Sequence, residues 1–366
     1  MYYKNYGKTD MKVSAIGFGG MRYDEDDIRA GQLEKCAEVA LYAHEKGVNY
    51  FDTAPFYCMD KSEAITGIAL GQLPRDSFYV STKANYTTLP GDGKPTRDNW
   101  RRRLEMSLER LNVDYIDFYH LWCILNQAGF EKLRDETYRF YEEARDEGLI
   151  RNIVFSSHMP GDELETVIGT GLFKGMLIGY NALNYRFRQS GIAAAYDKGM
   201  GVVVMNPLGG GLIPQNADRF TYLVGDSGLT VPQAALRFVA SHREITVALP
   251  GFTTKAHVDD ALAAVAGLVE KPAADIYAEY EGKGESINDM CTGCGYCDYC
   301  PVGVPIPKYM DAYNMVLLGD SFKNRLALHW DMEAAGAGHC VRCGECERLC
   351  TQHLPIMERL AHIAGK

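Results

Sequence analysis

Eight of the chain's eleven cysteines lie in two short runs near its carboxyl end. Residues 291–301 read CTGCGYCDYCP, in which each cysteine is separated from the next by two residues. Residues 340–350 read CVRCGECERLC, which is a C-x2-C-x2-C-x3-C run. In this spacing three thiolates bind one iron–sulfur cluster and the fourth reaches a second cluster. The two runs together therefore predict two [4Fe–4S] clusters.

The crossed arrangement of such runs predicts which cysteines share a cluster. One cluster is expected on Cys291, Cys294, Cys297 and Cys350, and the other on Cys340, Cys343, Cys346 and Cys300. The first run departs from the pattern, because two residues rather than three precede Cys300. Structural zinc and disulfides are the alternatives. Zinc usually takes two CxxC pairs about 12 to 20 residues apart, and disulfides are typical of small secreted domains.

The opening of the chain bears on the choice between these alternatives. It reads MYYKNYGKTD, which is polar and aromatic rather than an apolar signal segment. Thiolate clusters persist where disulfide formation does not compete with them. We therefore expect a reducing compartment, the cytoplasm.

A second group of residues could move protons. Asp52 and Lys83 end apolar runs, and a buried charge of either kind is costly unless it is paired. An ion pair between them is therefore expected. Tyr57 follows Asp52 by five residues. If Tyr57 faces the Lys83 ammonium, the tyrosine pKa falls from about 10 and the phenol becomes a proton donor near neutral pH. The matching hydride must come from a cofactor, since no side chain supplies one.

The elements that must position these residues alternate along the first 270 positions. Eight short apolar runs are separated by amphipathic helical patterns, which favours a (β/α)8 TIM barrel. The runs are VSAIGF (13–18), VNYFD (48–52), FYVSTK (78–83), YIDFYHLW (115–122), NIVFSS (152–157), MLIGY (176–180), VVVM (202–205) and ITVAL (245–249). A doubly wound sheet is the rival, but GFGG after the first run lacks the third glycine of GxGxxG. In a barrel, functional side chains lie at the carboxyl ends of the strands.

The predicted organisation is a barrel over residues 1–268, a linker helix over 269–285 and a small ferredoxin-like α+β iron–sulfur domain over 286–366. The segment between the cysteine runs is expected to be mostly helical. Helices are also expected at LEKCAEVALYAHEKG (33–47), DNWRRRLEMSLERLN (98–112), LRDETYRFYEEARDEG (133–148) and VPQAALRFVASHRE (231–244).

Composition limits the partners. The 366 residues are 46% hydrophobic and 23% charged, as in globular proteins, and the net charge is −10. A nucleic-acid partner would need clustered Lys and Arg, and a membrane span would need about 18 consecutive apolar residues. We expect neither partner. The sequence does not indicate an oligomeric state.

Several motifs then carry a family resemblance. FDTAPFY, STK, SLERLNVDYIDFY, NPLGGG and LPGFTT resemble the aldo-keto reductase family over roughly residues 1 to 268, and the whole chain resembles its bacterial branch with a C-terminal ferredoxin-like domain. The resemblance implies a TIM barrel, NADH or NADPH as cofactor, a carbonyl or alcohol substrate, and a catalytic tetrad that includes Asp52, Tyr57 and Lys83.

The fourth member of that tetrad is a histidine in the family. Its position here is Trp122, and the nearby histidine is His120, which lies two residues earlier on the same face of the strand. Either the strand shifts, or His120 acts from below, or Trp122 has replaced the histidine. His158, just past the fifth strand, is a further candidate for the substrate pocket together with Trp122.

The resemblance also implies a nucleotide site. The nucleotide is expected at Ser156 and Ser157, which stand where the family has a Ser-Asn pair, and the nicotinamide ring is expected at Met205. The pyrophosphate is expected at the NPLGGG loop, which contains Leu208 and Gly210. The adenosine end is expected at Gly251, Thr253 and His257. Because Gly251 and His257 stand where the family has cations for a 2′-phosphate, Lys255 is the nearby cation that remains. The sequence favours NADH over NADPH.

Three hypotheses describe how clusters and barrel work together. The barrel is a carbonyl reductase and the clusters are structural or sense redox state. Alternatively, the clusters pass electrons between a redox partner protein and the barrel. In the third, the barrel is a redox-silent nucleotide-binding module, which the presence of Trp122 allows.

Overall fold

The chain forms two compact units. A computed structural model describes residues 1–85, 96–283, 289–350 and 352–365. The first unit is Met1–Gly284 and the second is Glu285–Lys366. The last part of the predicted linker, from residue 284, and the first residues of the predicted cluster domain lie outside the described residues.

The first unit is built on eight parallel strands. They are β3 (Phe18–Gly19), β4 (Tyr50–Asp52), β5 (Tyr79–Asn85), β6 (Ile116–Ile124), β7 (Ile150–Ser157), β8 (Gly175–Gly179), β9 (Gly201–Met205) and β10 (Val247–Leu249). Each strand pairs with the next in chain order. Parallel bridges from Ile16 to Ala248 and from Gly19 to Gly251 join the first strand to the last. The predicted (β/α)8 barrel is confirmed.

Helices follow the strands, as the periodicity of the apolar residues predicts. Those of the first unit are Glu25–Arg29, Leu33–Glu45, Tyr57–Asp60, Ser62–Leu70, Arg97–Leu111, Gln127–Asp146, Gly161–Gly169, Tyr185–Asp197, Leu212–Gln215, Val231–Ala240, Lys255–Ala264 and Ala273–Tyr280. Short 3-10 helices cover Arg75–Ser77, Gly209–Gly211 and Ala217–Leu223. No helix of the described parts is both long and apolar enough to cross a membrane.

An antiparallel hairpin lies at the amino-terminal end of the barrel. Its strands are β1 (Tyr3–Asn5) and β2 (Lys12–Ser14). Tyr6, fully buried, packs on Tyr50 and Phe118 of the barrel interior, with ring centres 6.4 and 4.2 Å away. The predicted first strand, 13–18, is thus divided, because its first residues pair within the hairpin and only its end joins the barrel.

The helix Ala273–Tyr280 packs on the barrel. Ile276 is buried, and the Tyr277 ring stacks on Tyr185 at 5.2 Å. The hydroxyl of Tyr180 donates a hydrogen bond of 3.2 Å to that of Tyr277. This helix falls within the predicted linker but is part of the first compact unit.

The second unit is helical in its described residues. Its helices are Ile306–Leu317, Phe322–Asn324, Glu345–Arg348 and Ile356–Ile363, with a π-helical turn at Arg325–His329 and a 3-10 helix at Ala334–His339. Residues 289–350 and 352–365 contain no strand. The β part of the predicted α+β domain is therefore wrong for the described residues, because glycine turns and proline-led helices occupy the places where strands would stand.

Candidate active site and cysteine clusters

The predicted site residues of the barrel meet at the carboxyl ends of its strands. Alternate residues of each strand face the interior, and Tyr50, Phe118, Val154 and Val203 form part of its apolar core. Two positions further along, the same faces carry Asp52, His120, Ser156 and Met205, and Lys83 lies at the same level. The strand geometry brings these five side chains together at the mouth of the barrel.

Asp52 and Lys83 form a buried ion pair. Lys83 Nζ donates to Asp52 Oδ2 at 2.6 Å and to the carbonyl of Thr53 at 2.7 Å. Only 4% of the Asp52 side chain and 1% of the Lys83 side chain are exposed. Burial raises the pKa of Asp52 and lowers the pKa of Lys83, and their mutual attraction opposes both shifts. The predicted ion pair is confirmed.

Ser81 connects this pair to His120. Its hydroxyl donates to Asp52 Oδ1 at 2.7 Å and lies 2.9 Å from His120 Nε2. The Ser81 hydroxyl has one hydrogen, which it donates to the Asp52 carboxylate. His120 Nε2 must therefore carry a hydrogen and donate it to Ser81 Oγ. Burial lowers the pKa of His120 well below its ordinary value, and the charge of Lys83 lowers it further. His120 is therefore a neutral imidazole.

Tyr57 lies above the ion pair beside two aromatic side chains. The centre of its ring is 5.4 Å from Lys83 Nζ. Trp122 meets the Tyr57 ring edge-on at 6.0 Å and stacks with Phe56 at 6.5 Å. Trp122 therefore stands beside the phenol, while His120 lies one layer deeper, in register with Lys83.

The predicted lowering of the Tyr57 pKa is wrong. Burial raises it well above its ordinary value, and the carboxylate of Asp52 raises it further. The cation whose charge opposes this shift is Arg22 rather than Lys83. The reason is physical: the Lys83 charge is largely balanced by Asp52, so it does little to stabilise a phenolate in the unliganded protein.

The turn that carries Tyr57 has an unusual backbone. Cys58, Met59 and Asp60 take left-handed φ angles of 53°, 54° and 62°. Such angles cost side-chain-bearing residues of order 1 kcal/mol or more each. Both carboxylate oxygens of Asp60 accept hydrogen bonds from Arg110, each at 2.9 Å. This bidentate contact helps to hold the strained turn in place.

The two predicted cofactor-binding serines, Ser156 and Ser157, have different surroundings. Ser157 Oγ donates to the carbonyl of Ile124 at 2.7 Å and accepts from the amide of Met159 at 3.0 Å. Ser156 is 2% exposed and its hydroxyl has no hydrogen-bond partner among the residues that the structure describes. Because a buried polar atom usually has a partner, the Ser156 hydroxyl is an open position for a ligand.

The glycine loop after β9 is a tight turn, in which the amides of Gly209 and Gly211 donate to the carbonyls of Asn206 and Leu208 at 2.9 and 3.2 Å. Gly209, Gly210 and Gly211 have φ angles of 63°, 69° and 98°, which favour glycine. Leu208 begins this loop, and Met205 before it is half-buried. The predicted pyrophosphate position is therefore a turn of three glycines, whose backbone a ligand could approach without meeting a side chain of these residues.

The loop after β10 contains the predicted adenosine contacts. The amide of Thr253 donates to His257 Nδ1 at 3.3 Å, and its hydroxyl donates to the carbonyl of Arg22 at 2.9 Å. Lys255 pairs with Glu38 at 3.0 Å, so its charge is balanced.

His158 is buried just past the carboxyl end of β7. Its carbonyl accepts a hydrogen bond from the guanidinium of Arg188, which also donates to the carbonyls of Met159 and Gly179. Burial, together with the charge of Arg188, lowers the pKa of His158 to about 3. Arg188 and Ser81 are the polar residues that the sequence analysis missed. The signal for Ser81 was its place on the same strand face as Lys83, whereas nothing in the sequence distinguishes Arg188.

In the second unit the cysteines gather into two groups. A small cleft is lined by Cys297, Cys300, Cys340, Cys343 and Cys346. The second group consists of Cys297 with Cys291, Cys294 and Cys350. Burial raises the pKa of the Cys297 thiol, and these three neighbouring cysteines raise it further. Residues 289–350 and 352–365 contain no group of three or more side chains placed to hold a single metal ion.

The two cysteine runs repeat one local geometry. Gly293 donates its amide to Cys291 Sγ and Arg342 donates its amide to Cys340 Sγ, both at 3.4 Å. Five residues after the last cysteine of each run, a proline begins a helix with nearly the same backbone angles. These are Pro305 (φ −76°, ψ 72°) and Pro355 (φ −75°, ψ 71°). Counted from these prolines, Cys300 and Cys350 occupy equivalent positions.

The similarity of the sequence to known proteins agrees with the barrel fold of the first unit. Residues 15–278 match the model of the Aldo/keto reductase family. The chain belongs to this family. It is therefore an oxidoreductase of the kind that acts on carbonyl and alcohol groups with NAD(P)H.

Individual aldo-keto reductases are distant in sequence. An NADH-specific methylglyoxal reductase of Escherichia coli (strain K12) is 29% identical over 227 residues, which cover 58% of this chain and 69% of that protein. Probable aldo-keto reductase 1 of Glycine max is 26% identical over 306 residues, which cover 74% of this chain and 86% of that protein. A solved aldo-keto reductase from Bacillus halodurans superposes with a TM-score of 0.62 at 23% identity, covering 78% of this chain and 97% of that one. This last similarity concerns the fold alone.

Proposed function

We propose that the barrel interconverts a carbonyl and an alcohol, with Tyr57 as proton donor to the carbonyl oxygen. The observation that carries the proposal is the buried Asp52–Lys83 ion pair, with Lys83 Nζ 5.4 Å from the centre of the Tyr57 ring. Because the pKa of Tyr57 is raised, the phenol keeps its proton until a substrate oxygen needs it.

The residues next to Tyr57 each have a role in this proton transfer. As a carbonyl oxygen takes the phenol proton, the developing phenolate charge is stabilised by the Lys83 ammonium. Asp52 keeps Lys83 charged and in place, and Ser81 orients Asp52. His120, neutral and 3.9 Å from Asp52, supports that carboxylate from below. In this account Trp122 lines the substrate pocket, and His158 lies buried just past the end of β7.

The surroundings of the mouth fit a nicotinamide dinucleotide. Bound there, it supplies the hydride that reaches the carbonyl carbon. We propose that the open hydroxyl of Ser156 binds the carboxamide, with Ser157 shaping the adjacent backbone and Met205 packing on the ring. The amides around Leu208 and Gly210 would hold the pyrophosphate, and Gly251, Thr253 and His257 would line the adenosine end.

NADH suits the adenosine end better than NADPH. The family has cations for a 2′-phosphate at the two positions that are Gly251 and His257 here, and the nearby Lys255 forms an exposed pair with Glu38 at 3.0 Å. The related Escherichia coli protein is named an NADH-specific methylglyoxal reductase, which supports both the nucleotide and a small carbonyl substrate.

For the second unit we propose two [4Fe–4S] clusters, which supply one-electron transfer when bound. One would be held by Cys291, Cys294, Cys297 and Cys350, and the other by Cys340, Cys343, Cys346 and Cys300. The cleft lined by Cys300 and the second run supports this crossed assignment. Each thiolate of such a cluster binds a different iron atom, so the sulfurs stand further apart than four ligands of one zinc ion.

The roles of the clusters follow as proposals. They are structural or pass electrons to a redox partner protein, in a cytoplasmic setting where thiolates stay reduced. Cys297 and Cys346 belong to the apolar core of their unit, and Cys291, Cys300, Cys340 and Cys350 pack against it. Cluster binding would therefore also stabilise the fold of this unit.

One anaerobic experiment tests the main points. Protein purified without oxygen is assayed for iron and for oxidation of NADH and NADPH with a panel of aldehydes and ketones. We expect carbonyl-dependent oxidation, with NADH preferred at least tenfold in kcat/KM. E38Q, which frees Lys255, should narrow that preference, whereas E25Q, which changes an exposed Glu–Arg pair elsewhere, should not. Absence of carbonyl-dependent oxidation with both nucleotides contradicts the proposed reaction.

A further inference from the structure

Arg110 is not among the residues of the proposed reaction, but hydrogen bonds join it to the turn that carries Tyr57. Its Nη1 and Nη2 donate to the two carboxylate oxygens of Asp60, each at 2.9 Å. Asp60 Oδ1 also accepts the backbone amide of Phe56 at 3.1 Å. One carboxylate therefore connects the guanidinium to the residue before Tyr57 and to the residue that ends the turn.

The turn from Phe56 to Asp60 needs such a contact, because its backbone adopts conformations that most residues avoid. The φ angle is 69° at Phe56, 53° at Cys58, 54° at Met59 and 62° at Asp60, and none of these residues is a glycine. Such a backbone persists only where its surroundings hold it. If the contact with Asp60 were lost, the turn would relax and the Tyr57 ring would move with it.

The backbone of Arg110 is itself firmly placed. Arg110 lies in the last turn of the helix Arg97–Leu111, which packs against the helix Ser62–Leu70 at Gly67. A Cβ atom at position 67 would lie 2.0 Å from the carbonyl oxygen of Arg110, closer than atoms can approach. The two helices are therefore in direct backbone contact, and the guanidinium extends from a fixed point.

A second carboxylate connects Arg110 to the strand of Lys83. Glu63 Oε2 accepts from Arg110 Nη1 at 3.4 Å, and Glu63 Oε1 accepts the hydroxyl of Thr82 at 2.7 Å. Only 2% of the Glu63 side chain is exposed, and a buried carboxylate needs partners of this kind. Thr82 directly precedes Lys83 in β5. The contacts thus run without a break from the turn of Tyr57 to the strand that carries the ammonium.

We propose that Arg110 is a positioning residue, which holds the turn after Tyr57 so that the phenol stays beside the Lys83 ammonium. The proposal rests on the proposed reaction, in which Tyr57 donates the proton. The centre of the Tyr57 ring is 5.4 Å from Lys83 Nζ, and a displacement of about 1 Å in a reacting group can cost a large part of the rate. Because Arg110 acts on the turn, its loss should affect proton and hydride transfer rather than the binding of the nucleotide.

Single-turnover kinetics of the full-length holoenzyme, with NADH and an aldehyde that the wild type reduces, test this role. In R110Q the rate of hydride transfer should fall about 10- to 100-fold, while the dissociation constant for NADH changes by about twofold at most. R110K should recover only part of the loss, because an ammonium does not form the bidentate contact. R101Q, which removes the ion pairs of another arginine of the same helix, should behave as the wild type.

Two further variants distinguish positioning of Tyr57 from a general effect on the fold. The side chain of Asp60 is 43% exposed, so D60N should fold even if R110Q does not, and it should lower the rate in the same way. Asparagine keeps an oxygen for the amide of Phe56 but loses the charge that holds the guanidinium. In Y57F, which has no phenol hydroxyl to position, adding R110Q should lower the remaining rate by about threefold at most. Urea denaturation shows which variants are folded.

The outcomes separate the two proposals. If folded R110Q and D60N both transfer hydride within about threefold of the wild-type rate, the positioning role is wrong while the reductase proposal stands. If R110Q lowers the rate as much in Y57F as in the wild type, Arg110 supports the barrel in general and the proposal is overturned. If the wild type reduces no carbonyl compound, the proposed function itself fails.

Discussion

Lys83 Nζ lies 5.4 Å from the centre of the Tyr57 ring and 2.6 Å from a carboxylate oxygen of Asp52. The phenol thus has a cation within reach but keeps its proton in the unliganded protein, because burial raises its pKa. This combination describes a proton donor that is ready before the substrate arrives. The predictions below test the parts of the structure that create it.

The left-handed turn after Tyr57 is expected to store strain. Met59 has a φ of 54° and is 44% exposed, so M59G should relieve strain without removing buried contacts. We expect the free energy of unfolding to rise by about 0.5 to 1 kcal/mol, since strain of order 1–3 kcal/mol is partly offset by the entropy of glycine. Urea denaturation followed by circular dichroism measures the change.

The matched control is M106G. Met106 is 40% exposed but lies inside the helix Arg97–Leu111, where glycine costs about 1 kcal/mol. The two substitutions should therefore act in opposite directions. A loss of stability in M59G similar to that in M106G would show that the turn is not strained.

His242 should make the barrel sensitive to acid. It is fully buried, with Nε2 2.8 Å from the Tyr180 hydroxyl and Nδ1 2.8 Å from the carbonyl of Phe238. Burial lowers its pKa to about 4, and the nearby charge of Lys4 also lowers it. Between this value and the unfolded value of about 6.5, the unfolded chain binds more protons, so stability falls as the pH falls.

The difference between wild type and H242Q isolates this contribution. From pH 7 to pH 5 the wild type should lose about 2 kcal/mol more of its free energy of unfolding than H242Q does. Urea midpoints at each pH provide the measurement, and H257Q, at an exposed position, is the control. Parallel losses in wild type and H242Q would mean that His242 does not remain neutral in the folded protein.

Cys300 tests the crossed cluster assignment. In C300S the cluster of the second run loses one thiolate, so iron should fall from about eight to about four atoms per chain. C36S, at a buried helical cysteine of the barrel, should keep the full content. Iron analysis with electron paramagnetic resonance after reduction makes the measurement. Full iron in C300S, or zinc in place of iron in the wild type, would contradict the assignment.

The alternation of inward-facing and outward-facing residues along each strand was sufficient to predict which strand residues form the site. Asp52, Lys83, His120 and Ser156 were expected at the carboxyl ends of strands, and register places all four at the mouth of the barrel. The ion pair followed from the cost of burying either charge alone. These features depend on local pattern and on one strong electrostatic rule, so sequence carries them.

Features that depend on tertiary surroundings could not be predicted. Cys58, Met59 and Asp60 adopt left-handed angles without any glycine to signal them. The sign of the Tyr57 pKa shift depends on burial, which outweighs a cation already balanced by Asp52.

Cys300 is a third case. The repeat that relates the two cysteine runs was more informative about this ligand than the spacing of the cysteines within its own run. The shortened run made it the least regular ligand of the eight. The structure aligns the two runs from the prolines that follow them, and Cys300 then matches Cys350. That repeat was present in the sequence as CPVGVPI and CTQHLPI. Its meaning depends on the shared backbone geometry.

The central claim is that the Tyr57 hydroxyl supplies the proton, and Y57F tests it most directly. Transient kinetics with NADH and an aldehyde that the wild type reduces should show a fall in the rate of hydride transfer of about 10²- to 10⁴-fold. The dissociation constant for NADH should change little, and Y42F, which removes an exposed hydroxyl, should behave as the wild type. A Y57F enzyme that binds NADH and retains a rate within tenfold of the wild type would contradict the account.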